Sequence, residues 1–324
     1  MKIFVAGGAG YIGSHTVKEL IHEGFEVLIF DNFSTGKKEL IIGGKLIEGD
    51  LRDKDCLKKV FSSEDIDAVL HFASLIQVGE SYTNPKKYYS HNLLSSLNLL
   101  DVLLEADIKY FIFSSSAAVY GMPQETPIPE SHLLNPINPY GQTKLFVERI
   151  LQDYEKAYGL KFVSLRYFNA AGADPEGQLG ELHQPETHLI PNICLFLLGK
   201  KKNFNLFGTD FPTPDGTAVR DYIHVTDLAK AHVLALRHLL STSKSDFINL
   251  GVTRGYSVLE VIKETEEITG KKVMYRKKPR RKGDVPMLLA SKDKAERVLS
   301  WKPLHSDIEN IIKTAWDWHK KAVK

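Results

Sequence analysis

Short apolar runs alternating with longer amphipathic stretches set the rhythm of the first half of the chain. Residues 2–6, 26–30, 45–48, 67–72, 109–114 and 161–165 are runs of four to six mostly apolar residues, the signature of strands buried on both faces. Between them lie segments with helical spacing. Ile12, Thr16, Leu20 and Ile21 mark a helix over 11–22, another starts near Asp53, and a long one spans 85–106. A further helix opens after Asn138-Pro139, where a capping side chain precedes a proline at the first helical position. Strand–helix alternation with short turns predicts an α/β fold, a doubly wound parallel sheet of Rossmann type. Ligands of such sheets sit beyond the carboxyl ends of the strands, and Asp31, Asp50, Ala73 and Ser116 all fall there.

The pattern changes after Gly172. Residues 174–187 read as a loop rich in Gly, Pro and Glu. Beyond it come a helix over 189–198, a short strand over 204–207, a polar loop over 208–217 and a helix over 226–240. A strand over 247–250, a helix over 258–268, a basic run over 271–282 and an amphipathic helix through Trp316 close the chain. This divides it into residues 1–173, a dinucleotide-binding unit, and 174–324, a smaller mixed α/β substrate region, some of whose elements return to the first sheet.

Composition adds mainly exclusions. A formal net charge of +2 over 324 residues gives no basis for bulk capture of nucleic acid or an anionic membrane. Cys56 and Cys194 are too few for a disulfide framework, and no metal site is expected. The chain opens directly on a strand and holds no apolar run of 18 residues, so a cytoplasmic protein is expected.

Two constellations carry chemistry. Gly7, Gly10 and Gly13 lie between the first strand and the first helix, where small residues let the backbone approach a pyrophosphate and the helix N-terminus faces the anion. Asp31 ends the next strand, eighteen residues beyond Gly13, placed to accept the hydroxyls of an adenosine ribose. Its charge disfavours a 2′-phosphate, hence NAD rather than NADP. The second constellation is Tyr140 and Lys144, four apart and so on one face of a helix. A phenol has an ordinary pKa of about 10, and making it a base at neutral pH takes roughly 4 kcal/mol of preference for the phenolate. One positive charge about 4 Å away in a partly buried site supplies about that much. Lys144 can be that charge, and an oxidised nicotinamide a second. In the basic run, Arg280 and Arg281 followed by Gly283-Asp284 could grip an anionic group or line a solvated face.

The glycine turn, Tyr140, Lys144 and a serine at the preceding strand end resemble the extended short-chain dehydrogenase/reductases. Narrower strings resemble the UDP-glucose 4-epimerase family within them: Gly7-Gly8-Ala9-Gly10-Tyr11-Ile12-Gly13-Ser14-His15, His71-Phe72-Ala73, and Ser114-Ser115-Ser116-Ala117-Ala118-Val119-Tyr120-Gly121. Arg166-Tyr167-Phe168-Asn169-Ala170-Ala171-Gly172-Ala173 and Val219-Arg220-Asp221-Tyr222-Ile223-His224-Val225 are narrower still. The resemblance spans essentially the whole chain. It implies an NAD-dependent isomerase interconverting UDP-galactose and UDP-glucose through a 4-keto intermediate, acting as a homodimer through the long helices. It further implies catalysis by Tyr140, Lys144 and Ser116. Cofactor contacts would come from Tyr11, Ile12, Asp31, Asn32, Asp50, Leu51, Phe72, Ala73, Asn92, Tyr140, Lys144 and Phe168. Nucleotide-sugar contacts would come from Asn169, Leu189, Phe207, Arg220, Arg281 and Asp284. Three positions depart from or vary within the family: Ile76 stands where a Lys is common, His188 where an Asn is common, and Leu288 where side-chain size tunes acceptance of N-acetylated sugars. A nucleotide-sugar dehydratase would place an acidic pair after the catalytic hydroxyl, and Ala117-Ala118 follow Ser116 here. A UDP-uronate epimerase or decarboxylase stays open, and a cofactor-sensing regulator would have no use for Tyr140, Lys144 and Ser116 together.

Overall fold

The computed structural model describes residues 1–281 and 283–322, so Lys282 of the basic run lies outside the described residues. In chain order the first elements are β1 (Lys2–Ala6), α1 (Tyr11–His22), β2 (Glu26–Asp31), β3 (Lys45–Glu48), α2 (Lys54–Ser63) and β4 (Ala68–His71). Then come α3 (Val78–Thr83), α4 (Pro85–Tyr88), α5 (Leu94–Glu105), β5 (Tyr110–Ser116), α6 (Pro139–Tyr158), β6 (Lys161–Tyr167) and β7 (Asn169–Ala171). The remainder is α7 (Leu189–Leu197), β8 (Asn205–Phe207), β9 (Val219–His224), α8 (Val225–Thr242), β10 (Asp246–Leu250), β11 (Gly255–Ser257), α9 (Val258–Thr269), β12 (Arg276–Lys278), β13 (Met287–Leu288), α10 (Asp293–Leu299) and α11 (Ile308–Ala322).

Seven strands form one parallel sheet in the order β3-β2-β1-β4-β5-β6-β10. The chain winds outward from β1 to one edge, then returns to the centre and winds to the other, so the switch point lies between β1 and β4. Away from the exposed edge strand β3 both faces of the sheet are covered, which is why its inner strands read as unbroken apolar runs. Ile3 and Val5 face Val17 and Leu20 of α1 and Leu228 and Leu236 of α8. Phe4 and Ala6 face Leu57 and Phe61 of α2, Leu99 and Leu103 of α5, and Val147 and Leu151 of α6.

A second, smaller core joins α7, α9 and α11 around Phe204, Leu206 and Tyr222. Here the chain departs from expectation. Residues 219–224 form the centre of a small sheet, with β11 and β13 on its two sides and β7 pairing with it as well. Strands of two or three residues leave no periodicity to read. The helix expected over 85–106 is interrupted: Asn84 caps α4, and a π-turn over Tyr89–Leu93 separates it from α5. Such a turn adds a residue to the helix and re-aims side chains. It carries Asn92.

Candidate active site

At the switch point, α1 starts directly after Gly10, which offers no side-chain cap, so its first N–H groups remain available to a ligand. A Cβ on Gly13 would lie 2.1 Å from the carbonyl oxygen of Gly7, so only glycine lets the helix sit this close to the turn. Asp31 is buried beside the turn. Its carboxylate accepts the backbone N–H groups of Ala9 and Phe33, both at 2.9 Å, and keeps lone pairs for another donor. Burial raises its pKa and the two N–H bonds oppose that.

The other expected cofactor residues ring this crevice, several of them already bonded. Tyr11 donates its hydroxyl to the carbonyl of Gly172 at 2.6 Å. Asn32 donates to Asp50 at 2.9 Å, while Arg52 chelates the same carboxylate and holds it well below the usual range. Ile12 and Leu51 pack into the two faces of the core. Phe72 and Ala73 donate their N–H groups to Ala6 and so continue β4 toward the crevice. Asn92 is spent inside the protein: its amide exchanges two hydrogen bonds with the backbone of Leu75 and donates a third to Thr143. It ties the loop after β4 to α6.

Tyr140 and Lys144 project from the buried face of α6, whose first turn is fixed by Asn138 accepting the N–H of Gly141 at 2.8 Å. A Cβ at 141 would meet the Ala118 carbonyl at 2.5 Å, so this glycine allows the turn after β5 to press against the helix. That contact brings Ser116 to Tyr140. Lys144 Nζ donates to the Ser114 carbonyl at 2.7 Å and lies 5.9 Å from the Tyr140 ring centroid. The spacing predicts a phenol made acidic by Lys144. In the protein alone burial dominates and raises the Tyr140 pKa, with the hydrogen bond from the Ser116 hydroxyl opposing. Burial likewise lowers Lys144 to about 7, with Glu148 opposing. Each charged form stabilises the other, so phenolate and ammonium are favoured together rather than singly.

The expected substrate residues lie beyond this group. Asn169 pairs across β7–β9 with Tyr222, and Leu288 of β13 pairs with Arg220 of β9. Arg220 donates to the carbonyls of Val219 and Pro286 and has no carboxylate at ion-pair distance among the described residues. Burial lowers its pKa. A sequestered guanidinium bonded only to carbonyls is poised for an anion. Arg281 pairs with Asp284 at 3.0 Å and lies over the half-exposed ring of Phe207, while Arg280 turns away to Asp210. Leu189 opens α7. Leu288 and Phe168 pack on a cluster of Ala117, Val119, Tyr120, Ile128 and Leu145, directly behind the Ser116 turn.

Of the departures from the family pattern, Ile76 is exposed. His188 sits at the start of α7 with its Nδ1 on Glu181 and 3.7 Å from Glu186. Burial alone would lower its pKa, but the two carboxylates hold it above the ordinary imidazole value. Sequence reasoning passed over this group: donor atoms of Glu181, His183, Glu186 and His188 lie within 4.8 Å of one another. The Glu-x-His-x-x-Glu-x-His spacing was the available signal. Both imidazole Nδ1 atoms engage Glu181, so the set closes on itself through hydrogen bonds.

Comparison with known proteins agrees with this geometry. Residues 3–251 match the NAD dependent epimerase/dehydratase family. A UDP-glucose 4-epimerase of Lactobacillus helveticus is 48% identical over 325 residues, covering 100% of this chain and 98% of the relative. The crystal structure of UDP-glucose 4-epimerase from Brucella ovis in complex with NAD is 45% identical with a TM-score of 0.95, covering 98% and 97% of the two chains. The Bifidobacterium longum enzyme in complex with NAD+ and UDP is 41% identical with a TM-score of 0.95, covering 99% and 98%.

Proposed function

The chain belongs to the NAD dependent epimerase/dehydratase family, and we propose that it interconverts UDP-galactose and UDP-glucose by inverting C4 of the sugar. The observation that carries this reading is the meeting of Ser116, Tyr140 and Lys144 at the end of β5, in a sheet whose β1–α1 turn is a glycine cradle, with Arg220 carried on the neighbouring small sheet. Bound NAD supplies the one chemistry the side chains lack, reversible two-electron oxidation of the carbinol carbon. Residues 1–173, with the strand and helix that return to their sheet, hold it. Asp31 takes the ribose hydroxyls and opposes a 2′-phosphate.

The chain's own residues move the proton. Tyr140 as phenolate accepts it from the sugar 4-hydroxyl, Ser116 orients the same oxygen, and Lys144 keeps the phenolate stable. Residues 174–324 mainly bind the nucleotide sugar. Arg220 and Arg281 hold the diphosphate while the 4-keto hexose turns over. Purified protein given UDP-galactose and no added cofactor should form UDP-glucose, and acid should release NAD, not NADP, from it. No conversion sinks the reading. A UDP-uronate substrate is disfavoured because Leu288 packs on an apolar cluster rather than on donors for a sugar carboxylate.

Leu288 sets how large the C2 substituent can be. It is smaller than the Tyr that accompanies restriction to the plain hexose, though branched. Contacts of one or two carbons discriminate by about 10–200-fold. UDP-galactose should therefore be preferred with measurable activity on UDP-N-acetylgalactosamine. Leu288→Tyr should abolish the second activity and spare the first, and Leu288→Ser should raise it. If neither change alters the ratio, the gate lies elsewhere.

Two further parts belong to this reading. Tyr89 in the π-turn and Leu94 at the start of α5 are exposed, and the Tyr89 ring lies 6.3 Å from that of the half-buried Phe146 of α6, an apolar face suited to a homodimer through these helices. Light scattering should give twice the chain mass, and a monomer would contradict it. The enzyme belongs in the cytoplasm, with the NAD and nucleotide-sugar pools it uses. Both cysteines are free, and no helix among the described residues is long and apolar enough to cross a membrane.

A further inference from the structure

One buried charge on α6, Glu148, neither donates nor accepts the transferred proton. Glu148 lies one turn beyond Lys144, so Tyr140, Lys144 and Glu148 stack along the same buried face. Arg166 of β6 closes on it twice, from Nε at 2.9 Å and from Nη2 at 2.7 Å, and the two side chains are only 1% and 3% exposed. A pair this deep is a weak stabiliser, because desolvation offsets its attraction, so its presence asks for another role.

The remaining bonds of Glu148 supply one. Its Oε1 also accepts the hydroxyls of Ser115 at 2.7 Å and Ser164 at 2.9 Å. Ser115 is the middle of three consecutive serines at the end of β5. The Ser114 carbonyl accepts Lys144 Nζ, and the Ser116 hydroxyl faces Tyr140 and opposes the rise in its pKa. Two successive residues of one strand end, Ser114 and Ser115, are thus fastened to Lys144 and Glu148 of one helix face, and the third faces Tyr140. On its far side Arg166 donates to the Tyr120 hydroxyl at 3.0 Å, and Tyr120 donates to Asn249 of β10 at 2.6 Å. The pair is therefore anchored to the sheet rather than to a mobile surface.

Building on the reading above, we propose that Glu148, locked by Arg166 and joined to β5 through Ser115, is a positioning residue: it sets the register of the Ser114–Ser116 strand end against α6, so that Ser116 and Lys144 meet Tyr140 in the geometry of proton transfer. The titratable groups facing Lys144 are Tyr140 and Glu148 on its own helix and His71 of β4, which burial keeps neutral. Glu148 is the one that favours the ammonium form.

Ser115→Ala tests this with little threat to folding, because it cuts the link and leaves the ion pair intact. The expected result is a kcat about tenfold lower, since small misplacements of reacting groups are costly, with KM for UDP-galactose and the melting temperature unchanged. The acid limb of the pH–rate profile should also move to higher pH, because the phenolate loses alignment with its donor. A purely structural hydroxyl would move neither. The matched replacement Glu148→Leu with Arg166→Met removes the whole device without leaving a buried charge, and should lower kcat at least as far in a folded protein. Wild-type kcat and pH profile in Ser115→Ala, or wild-type kcat in the folded double variant, would overturn the proposal. Wild-type protein assayed alongside separates this from failure of the functional reading: inactive wild type sinks that reading, active wild type with unaffected variants sinks only this one.

Discussion

Tyr140→Phe is expected to lower turnover by at least ~10²-fold while leaving NAD bound. The substitution deletes one oxygen and keeps the ring, which is buried at 9% exposure, so neither helix packing nor the cofactor crevice should change. What is lost is the group that takes the 4-hydroxyl proton. Ser116 cannot replace it, since a serine hydroxyl is a far weaker acid than a phenol and its role is to orient. KM should move little if the diphosphate is held by Arg220 and Arg281, remote from the ring. A Tyr140→Phe variant with wild-type rate would place the base elsewhere.

Lys144→Ala should reduce activity at neutral pH by about 10–100-fold and move the acid limb of the pH–rate profile upward. The sign follows from the charge. The ammonium favours the phenolate, so removing it raises the phenol pKa, and activity that depends on phenolate then appears only at higher pH. Burial already pushes Tyr140 up and Lys144 down to about 7, so forming the charged pair is what restores each to its working state. High pH should recover part of the lost rate in this variant, whereas Tyr140→Phe should stay inactive throughout. An unshifted profile would mean that the nicotinamide charge alone tunes Tyr140.

Much of the molecule could be read from the sequence because burial on both faces writes itself as apolar runs. β1, β2 and β4 to β6 are such runs, and Asn138-Pro139 marks the start of α6 by its capping chemistry. β9 and its partners were not legible as a sheet. β13 is two residues long, and the Met287–Val219 pairing joins segments 68 positions apart (287 − 219), which no local pattern records. The π-turn at Tyr89–Leu93 hides inside a helical pattern because it differs from one by a single hydrogen-bond step. Glu148 was readable in principle: a charged residue four beyond Lys144 lies on a face that must be buried. Its partner Arg166, eighteen residues on, becomes visible only when β6 is laid beside α6. For Tyr140 and Lys144 the spacing gave their proximity but not their energetics, since desolvation depends on the elements packed around them.

On the proposed reading, Tyr140 and its neighbours serve a reversible oxidation at C4 within a single binding event. The decisive experiment uses UDP-galactose carrying deuterium at C4, incubated with the purified protein and no added cofactor, the product being read by mass and by proton resonance. UDP-glucose that retains the deuterium at C4 is the predicted result. Product with C4 deuterium exchanged for solvent hydrogen, or no product at all, would rule out a hydride that leaves C4 and returns to it.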